Sequence, residues 1–237
     1  MGFNLVILAT GPSGESGQPT HGKDWPNKLK KMMPDIKVDV CDSIDSAMEP
    51  IEEADAVFGY VIPKLFKRAK KLRWISCPQA GPPAGYYHPE LINSSVIVTN
   101  VRGVFSDHIG AHIMSFVLAF SRGHHYYLRQ QIQSNWSPGH KTIYLPEATA
   151  LIVGVGSIGT EAARLCSAFG MTVLGVDPRV NESPPRVSKL YRPDELGQIL
   201  PKGDFVIVTV PETPESQGLF GAKQFQQMKP GAYFINV

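Results

Sequence analysis

Three glycines and one aspartate carry the clearest chemistry in the sequence. Gly154, Gly156 and Gly159 follow G-x-G-x-x-G spacing. In that pattern the first glycine permits a tight turn, the second lets a pyrophosphate approach the backbone, and the third lets a helix pack close to a strand. Asp177 follows about 18 residues after Gly159, where a carboxylate can accept hydrogen bonds from both hydroxyls of an adenosine ribose. Together these four residues predict a dinucleotide site.

The segments around these glycines supply the strands and the helix that such a site needs. The apolar run 150–153 is typical of a strand buried on both faces. The next segment predicts a helix that ends at Gly170 and offers its free N-terminal N–H groups to a phosphate. A second apolar run, 173–176, ends at Asp177. This order favours the dinucleotide site over a glycine-rich turn that binds nothing.

Other patterns resemble binding motifs but lack essential residues. The segment 17–24 comes within one residue of a P-loop, yet Asp24 replaces the Ser or Thr that would hold magnesium, so we expect a surface loop. His108 and His112 are four residues apart on a predicted helix, without an intervening HExxH glutamate or an evident third ligand. We therefore expect no metal site. The basic segment 64–71 indicates the solvated face of a helix.

The segment 78–85, PQAGPPAG, follows a predicted strand at 72–77. Loops at the carboxyl ends of parallel strands are where ligands bind in such sheets. The backbone N–H groups of Ala80 and Gly81 could hold a carboxylate, although the spacing alone favours a rigid turn.

The pattern of elements predicts the fold class and its division. Strands and helices alternate through the first hundred residues, which indicates a parallel, flavodoxin-like sheet. Residues 103–237 predict a Rossmann-type doubly wound parallel sheet after a domain at 1–102. We expect a helix capped by Ser43 that runs to about Ala54, and a long helix from Ser106 to about Trp136.

Composition limits the class of protein. The chain has 237 residues, a net charge of +2 and 43% hydrophobic residues, which gives no argument for nucleic acid or an acidic membrane surface. Cys41, Cys77 and Cys166 lie far apart, which indicates reduced thiols in a cytoplasmic protein. The apolar N-terminus lacks a basic region and a cleavage site, so we expect a strand there and not a signal peptide. Apolar runs of membrane-spanning length are absent from the sequence.

The sequence resembles the D-isomer-specific 2-hydroxyacid dehydrogenases. The segment LIVGVGSIGTEAARLCSAFGMTVLGVDP is similar to the family's nucleotide fingerprint. DFVIVTVPETPESQGLF followed by MKPGAYFINV resembles its second signature, and Thr99-Asn100 with the helix IGAHIMSFVLAFSR resembles its domain-connecting segment. The likeness covers nearly the whole chain and is weakest before residue 50.

The resemblance implies a role for individual residues. Asp177 would bind the adenosine ribose and favours NAD, while Arg179 beside it leaves NADP open. The cofactor-binding set that the resemblance and the motif imply is Gly154, Gly156, Ser157, Ile158, Gly159, Asp177, Pro178, Arg179, Val210, Pro211, Ser216 and Val237. Ser157 and Ile158 would lie at the pyrophosphate, and Val237 near the nicotinamide. Gln79, Ala80 and Gly81 would bind the substrate, with its carboxylate on the N–H groups of the last two.

The activity implied is an NAD-dependent interconversion of a 2-oxo acid and a D-2-hydroxy acid, as in glyoxylate/hydroxypyruvate reductases or phosphoglycerate dehydrogenases. The resemblance also implies a homodimer for the full-length protein, whereas charge and spacing lead us to expect no nucleic acid, membrane or metal partner. The family's catalytic Arg, Glu and His would follow Val237, so we expect a truncated coenzyme domain, no catalytic residue in this chain and little turnover by it. Ala111 replaces a usual Glu, and Pro82 and Pro83 replace an apolar residue and an Asp.

Three alternatives remain at this point. The chain could be a non-catalytic, redox-sensing NAD-binding module on the same fold. It could dehydrogenate formate or phosphite with the same architecture. It could also be a remnant whose exposed sheet edge prevents stable binding.

Overall fold

A computed structural model of the protein describes residues 2–9, 24–81, 85–179 and 181–237. Nearly all of the P-loop-like segment, and both Pro82 and Pro83, lie outside these ranges. The chain divides into two compact units, Met1–Arg102 and Gly103–Val237. Each unit has its own parallel sheet, which is shown by the strand pairings.

The sheet of the first unit has the order β2-β1-β3-β4-β5 in the described residues. This is the flavodoxin order, so the predicted sheet type is confirmed. The strands are β1 Phe3–Leu8, β2 Ile36–Cys41, β3 Ala56–Phe58, β4 Trp74–Cys77 and β5 Ile97–Asn100. The helices are α1 Trp25–Met32, α2 Ile44–Ala47, α3 Pro63–Phe66 and α4 Pro89–Ile92, with a 3₁₀ turn at Pro50–Glu53.

Two predicted helices of this unit are shorter than expected. Ser43 caps α2 as predicted and accepts the Ser46 N–H at 3.1 Å, but α2 ends at Ala47 and the 3₁₀ turn begins at Pro50. Proline lacks the N–H that a continuing helix requires. The basic helix predicted over 64–71 is only Pro63–Phe66. The basic side chains that follow reach acidic partners instead: Arg68 and Lys70 bond Glu52, and Lys71 bonds Glu53.

The sheet of the second unit has the order β10-β9-β6-β7-β8. Counted by occurrence within this unit and from the β8 edge, that order is 3-2-1-4-5, with which the doubly wound dinucleotide-binding sheet begins. The Rossmann-type prediction is therefore confirmed. The strands are β6 Thr149–Val153, β7 Thr172–Val176, β8 Lys189–Tyr191, β9 Phe205–Val208 and β10 Tyr233–Asn236. The helices are α5 Ser106–Ser121, α6 His124–Ile132, α7 Ser157–Ala168, α8 Leu196–Ile199 and α9 Ala222–Gln227, with 3₁₀ turns at Leu145–Glu147, Pro193–Glu195 and Leu200–Lys202.

The prediction of one helix from Ser106 to about Trp136 is wrong, because α5 and α6 are separate helices. Gly123 lies between them with a φ of 69°, a left-handed conformation that favours glycine. A Cβ at Gly123 would also lie 2.5 Å from Cδ2 of His140. The chain therefore changes direction at a residue whose missing side chain makes room for that imidazole.

Both faces of the second sheet are covered. One face packs against α5 and α7, where Ile113, Ala162 and Cys166 are fully buried. The other face packs against α8 and the turn that follows it, where Leu151, Val206 and Leu200 are fully buried. This double burial accounts for the apolar runs that β6 and β9 show in sequence. Among the described residues, helices long and apolar enough to cross a membrane are absent.

Candidate functional site

The turn after β6 is fixed from two sides. Gly154 has a φ of 92°, and its N–H donates to the Val176 carbonyl at 2.8 Å. The hydroxyl of Thr209, directly after β9, donates to the Gly154 carbonyl at 2.5 Å. A Cβ on Gly154 would lie 2.9 Å from Cγ1 of Val210, so neighbouring strand ends leave no room for a side chain. The turn is thus set by contacts from both flanking strands.

The other two glycines of the motif differ in their surroundings. A Cβ on Gly159 would lie 2.1 Å from the Gly154 carbonyl oxygen, so only glycine lets α7 pack this close to the turn. A Cβ on Gly156 would meet no described atom within 4 Å, and its φ of −76° is ordinary. Gly156 precedes α7, whose first residues are Ser157 and Ile158. The space above Gly156 therefore opens onto the N–H groups of a helix start, which suit a phosphate.

Asp177 is buried, with 8% of its surface exposed, and joins the ends of β6 and β7. Its Oδ2 accepts the Val155 N–H at 2.8 Å, and its Oδ1 accepts the Arg179 N–H at 2.8 Å. Each carboxylate oxygen has two lone pairs, so one on each remains for a ribose hydroxyl. The aspartate thus holds the glycine turn in place and can also bind a ligand.

An arginine that the sequence did not single out lies beside this turn. Arg192 comes directly after β8, and its Nη1 donates to the Pro178 carbonyl at 2.7 Å. Pro178 and Arg179 are exposed at the same turn. The sequence carries no signal of this contact, because it depends on which strand ends lie side by side.

Four predicted residues line one cavity of about 530 Å³ at the carboxyl ends of β9 and β10: Val210, Pro211, Ser216 and Val237. The Ser216 hydroxyl donates to the Pro211 carbonyl at 2.7 Å and accepts the Thr213 N–H at 2.9 Å, which closes the loop after β9. Three aromatic residues that sequence reasoning missed share this cavity: Phe220, Phe225 and Phe234.

In the first unit, Gln79, Ala80 and Gly81 are exposed directly after β4. The Asn100 side-chain amide donates to the Ala80 carbonyl at 2.7 Å. Since the described peptide bonds are trans, the carbonyl of residue 80 and the N–H of residue 81 point in opposite directions. Asn100 therefore orients the Gly81 N–H, a role that sequence reasoning did not assign to it.

Two buried tyrosines lie near the carboxyl ends of β3 and β4. The rings of Tyr60 and Tyr86 make an edge contact at 6.0 Å, and neither buried hydroxyl has a hydrogen-bond partner among the described residues. Burial, with a smaller contribution from the Cys77 thiol, raises the pKa of both phenols. Both therefore stay protonated at neutral pH.

The described residues do not gather a set of metal ligands. His108 and His112 are exposed on α5, and groups of three or more His, Cys, Asp or Glu residues that could hold a metal are absent from the part of the chain that the structure describes.

Comparison with known protein families shows which family has this fold and this site. A family model described as "D-isomer specific 2-hydroxyacid dehydrogenase, NAD binding domain" matches residues 114–237. The chain belongs to the D-isomer specific 2-hydroxyacid dehydrogenase family. The match confirms the resemblance, and it places the glycine turn, Asp177 and the 530 Å³ cavity in the family's NAD-binding domain.

Individual members of the family are similar over most of the chain. A D-3-phosphoglycerate dehydrogenase of Methanocaldococcus jannaschii is 25% identical over 198 residues, which are 81% of this chain and 37% of that protein. A D-lactate dehydrogenase of Treponema pallidum is 29% identical over 193 residues, 80% of this chain and 55% of that one. The chain thus spans between about two fifths and just over half of these two curated relatives.

A solved structure of a D-isomer specific 2-hydroxyacid dehydrogenase family protein from Aeromonas salmonicida superposes with a TM-score of 0.80 at 27% identity. The superposition covers 100% of this chain and 73% of that one. The two-sheet architecture is therefore the architecture of this family.

Proposed function

We propose that the natural protein is an NAD-dependent oxidoreductase that interconverts a 2-oxo acid and a D-2-hydroxy acid. The observation that carries the proposal is the glycine turn clamped by Asp177 within the family's NAD-binding domain. In this proposal residues 1–102 form the substrate-binding domain, and residues 103–237 form the coenzyme domain.

The coenzyme domain holds NAD through backbone groups and one carboxylate. The N–H groups at Ser157 and Ile158 bind the pyrophosphate above Gly156, where a Cβ would otherwise stand. Asp177 accepts the ribose hydroxyls with its remaining lone pairs. Val210, Pro211, Ser216 and Val237 line the cavity on the nicotinamide side. NAD, when bound, accepts or supplies the hydride.

The loop Gln79–Gly81 binds the carboxylate of the acid. Two observations support this assignment. The loop is exposed at the carboxyl end of β4, and the Asn100 amide holds the Ala80 carbonyl so that the Gly81 N–H points away from Asn100. Two adjacent N–H groups suit a carboxylate, since hydrogen bonds to a charged acceptor are the stronger kind. The loop supplies recognition and no proton transfer.

Reduction of a panel of acids by the protein at its natural length tests this function. We expect NADH oxidation with at least one of glyoxylate, hydroxypyruvate and 3-phosphohydroxypyruvate, the acids that a glyoxylate/hydroxypyruvate reductase or a phosphoglycerate-type enzyme would take. NADH binding without oxidation by any 2-oxo acid would instead support a redox-sensing module. NAD⁺ reduction by formate or phosphite alone would support the other dehydrogenase chemistry.

We also propose a homodimer in the cytoplasm. Leu128 and Ile132 lie four residues apart on α6 and are 58% and 83% exposed, and Trp136, beyond the end of the helix, is 92% exposed; together these three residues form the apolar stripe. A cavity of about 670 Å³, lined in part by Tyr127 and Trp136, lies next to this stripe. A second copy of the same stripe is the occupant that we propose. Three buried free cysteines support a reducing compartment.

A further inference from the structure

The imidazole of His140 fills a slot at the break between α5 and α6. Its ring stacks on Tyr126 at 4.7 Å with an interplanar angle of 11°, and it makes an edge contact with Tyr127 at 6.2 Å. The slot exists because Gly123 has no side chain, since a Cβ there would lie 2.5 Å from Cδ2 of His140. The segment 133–144, which follows α6, is neither helix nor strand, so side-chain contacts such as these hold it against the second unit.

His125 connects His140 to the core of the second unit. The two imidazole rings make an edge contact with their centres 5.2 Å apart. His125 also makes edge contacts with Phe120 at 5.4 Å and with Tyr233 at 6.2 Å. Tyr233 in turn stacks on Phe205 of β9, which is fully buried, at 5.5 Å. A continuous series of aromatic rings therefore runs from the sheet to the segment that follows α6.

Each of the two imidazoles buries one nitrogen that makes no hydrogen bond. These nitrogens are Nδ1 of His125 and Nε2 of His140, and neither has a partner among the described residues. A neutral imidazole can place its lone pair at such a nitrogen, whereas an imidazolium carries an N–H at both nitrogens. Protonation of either ring in place would thus bury a new donor without an acceptor, which is costly.

The described groups around this histidine pair offer no negative charge. The titratable rings in contact with the pair are the phenols of Tyr126, Tyr127 and Tyr233, and the ion pairs found among the described residues include neither histidine. Lys141 and His124, which flank the pair in sequence, are exposed. Stacking on Tyr126 can stabilise one imidazolium. A second one, with its ring centre 5.2 Å from the first, would repel it.

We propose that His125 and His140 form an acid-sensitive latch, which holds the segment 133–144 in place at neutral pH and releases it when the pair is protonated. Protons bind the released rings more readily than the packed ones, so closing of the latch weakens as the pH falls below about 6.5, where histidine ordinarily titrates. The segment contains Trp136 of the apolar stripe, so its release in acid also weakens the homodimer. That last step rests on the proposed homodimer, whereas the latch itself does not.

Hydrogen exchange of single amides, followed by NMR at pH 7.5 and at pH 5.5, tests the latch. The Ile143 N–H donates to the Ser121 carbonyl at 2.9 Å and reports on release of the segment. The Gly154 N–H donates to the Val176 carbonyl at 2.8 Å and reports on wider opening of the second unit. After correction for the intrinsic exchange rate, protection at Ile143 should fall by about tenfold or more between the two pH values, and protection at Gly154 by less than about twofold.

Two substitutions keep an aromatic ring in place and remove its titration: His125→Phe and His140→Phe. Each single variant should show a smaller fall in Ile143 protection than wild type, because one imidazole remains. The double variant should show a change of less than about twofold, since no ring of the latch can then bind a proton. His124→Gln is the control, because His124 is exposed and neighbours the pair on α6, and it should match wild type.

Ile143 protection that does not change with pH in wild type, or that falls equally in the double variant, would overturn the latch. A parallel fall at Gly154 would also overturn it, because acid would then open the whole unit. Sedimentation over the same pH range tests the consequence for the homodimer, which should weaken in acid for wild type and not for the double variant. A dimer that keeps its affinity while Ile143 loses protection would overturn this coupling. A wild-type protein that is monomeric throughout would refute the proposed homodimer, while Ile143 would still decide the latch.

Discussion

Gly156 and Gly159 belong to one motif, yet the structure gives them separable roles. The Cβ position of Gly159 is occupied by the Gly154 carbonyl, whereas that of Gly156 is open. The first constraint concerns packing between α7 and the turn, and the second concerns the approach of a ligand. Substitutions at the two positions should therefore change different quantities.

Gly156→Ala should leave the free energy of unfolding nearly unchanged and weaken NADH binding, because the new methyl group occupies the space predicted for the pyrophosphate. Gly159→Ala should lower the free energy of unfolding by about 2 kcal/mol or more, since it forces α7 away from the turn. Urea unfolding and NADH titration of both variants measure the two effects. Equal loss of stability in both would contradict the assignment.

Asp177→Asn should also destabilise the protein. The amide can accept through one oxygen only, so the N–H group of either Val155 or Arg179 loses its partner. The expected loss is about 1–3 kcal/mol in urea unfolding. Asp194→Asn is the matched control, because Asp194 is exposed on a nearby turn. An Asp177→Asn variant as stable as this control would show that the two hydrogen bonds of the Asp177 carboxylate contribute nothing to the free energy of unfolding.

Sequence reasoning located the residues whose roles follow from their own backbone and charge. A G-x-G-x-x-G turn and an acid after the next strand are readable along the chain. Arg192 and Asn100 were missed because their contacts, with Pro178 and Ala80, depend on which strand ends lie side by side. That information exists only once the sheet is assembled.

At the scale of elements, helix ends were the least predictable feature. The apolar spacing of α5 continues into α6, so periodicity alone joins them, while the positive φ of Gly123 separates them. Pro50 similarly divides a segment whose Ser43 cap was correctly identified. In both places a single residue ends the helix although the apolar spacing continues. Glycine, which has no Cβ, readily adopts a left-handed φ, and proline, which has no N–H, cannot continue the helical hydrogen bonds.

Gly123→Ala should lower the free energy of unfolding by about 1–2 kcal/mol. The alanine would have to adopt the left-handed φ of Gly123, and its methyl group would lie 2.5 Å from Cδ2 of the His140 ring. Gly221→Ala is the control, because its φ is −133° and its nearest neighbouring atom is 3.7 Å from the new Cβ. Thermal unfolding of both variants decides the point. If the Gly123→Ala protein had the same melting temperature as the control, Gly123 would not be the residue that fixes the break between α5 and α6.

At the scale of the whole molecule, the type of each sheet was predictable. The alternation of β and α indicated a parallel, flavodoxin-like sheet in the first unit, and the glycine motif between two apolar runs indicated a Rossmann-type sheet in the second. Parallel strands joined by right-handed helical crossovers admit few arrangements, so the sheet type was predictable where the helix lengths were not. Buried residues such as Cys166, inside α7 and against the sheet, report on this assembly as a whole.

All three thiols should react with a thiol reagent only when the protein unfolds, since Cys41, Cys77 and Cys166 are buried. Burial raises the pKa of Cys166 to about 12 from 9.0. Because the unfolded thiol ionises first, this group lowers the free energy of unfolding as the pH rises from about 9 towards 12. Reaction with dithionitrobenzoate at pH 8, with and without urea, tests the protection. Three rapidly reacting thiols in the native protein would contradict this burial.

Charging the apolar stripe should dissociate the proposed homodimer. Ile132→Glu places a carboxylate on the most exposed large apolar residue of α6, where a second copy would have to bury it. Ile92→Glu is the control, because Ile92 is 64% exposed on a helix of the other unit. Sedimentation should show a dimer for wild type and the control, and a monomer for Ile132→Glu. A monomeric wild-type protein, or a dimeric Ile132→Glu variant, would refute the assignment of this interface.

The central claim is that this chain forms a dinucleotide site around Gly156 and Asp177. Calorimetric titration of the folded chain with NADH tests it most directly. The account predicts saturable, one-to-one binding that weakens in Gly156→Ala without loss of folded structure. A chain that is folded by circular dichroism and releases no heat of binding with NADH would contradict it.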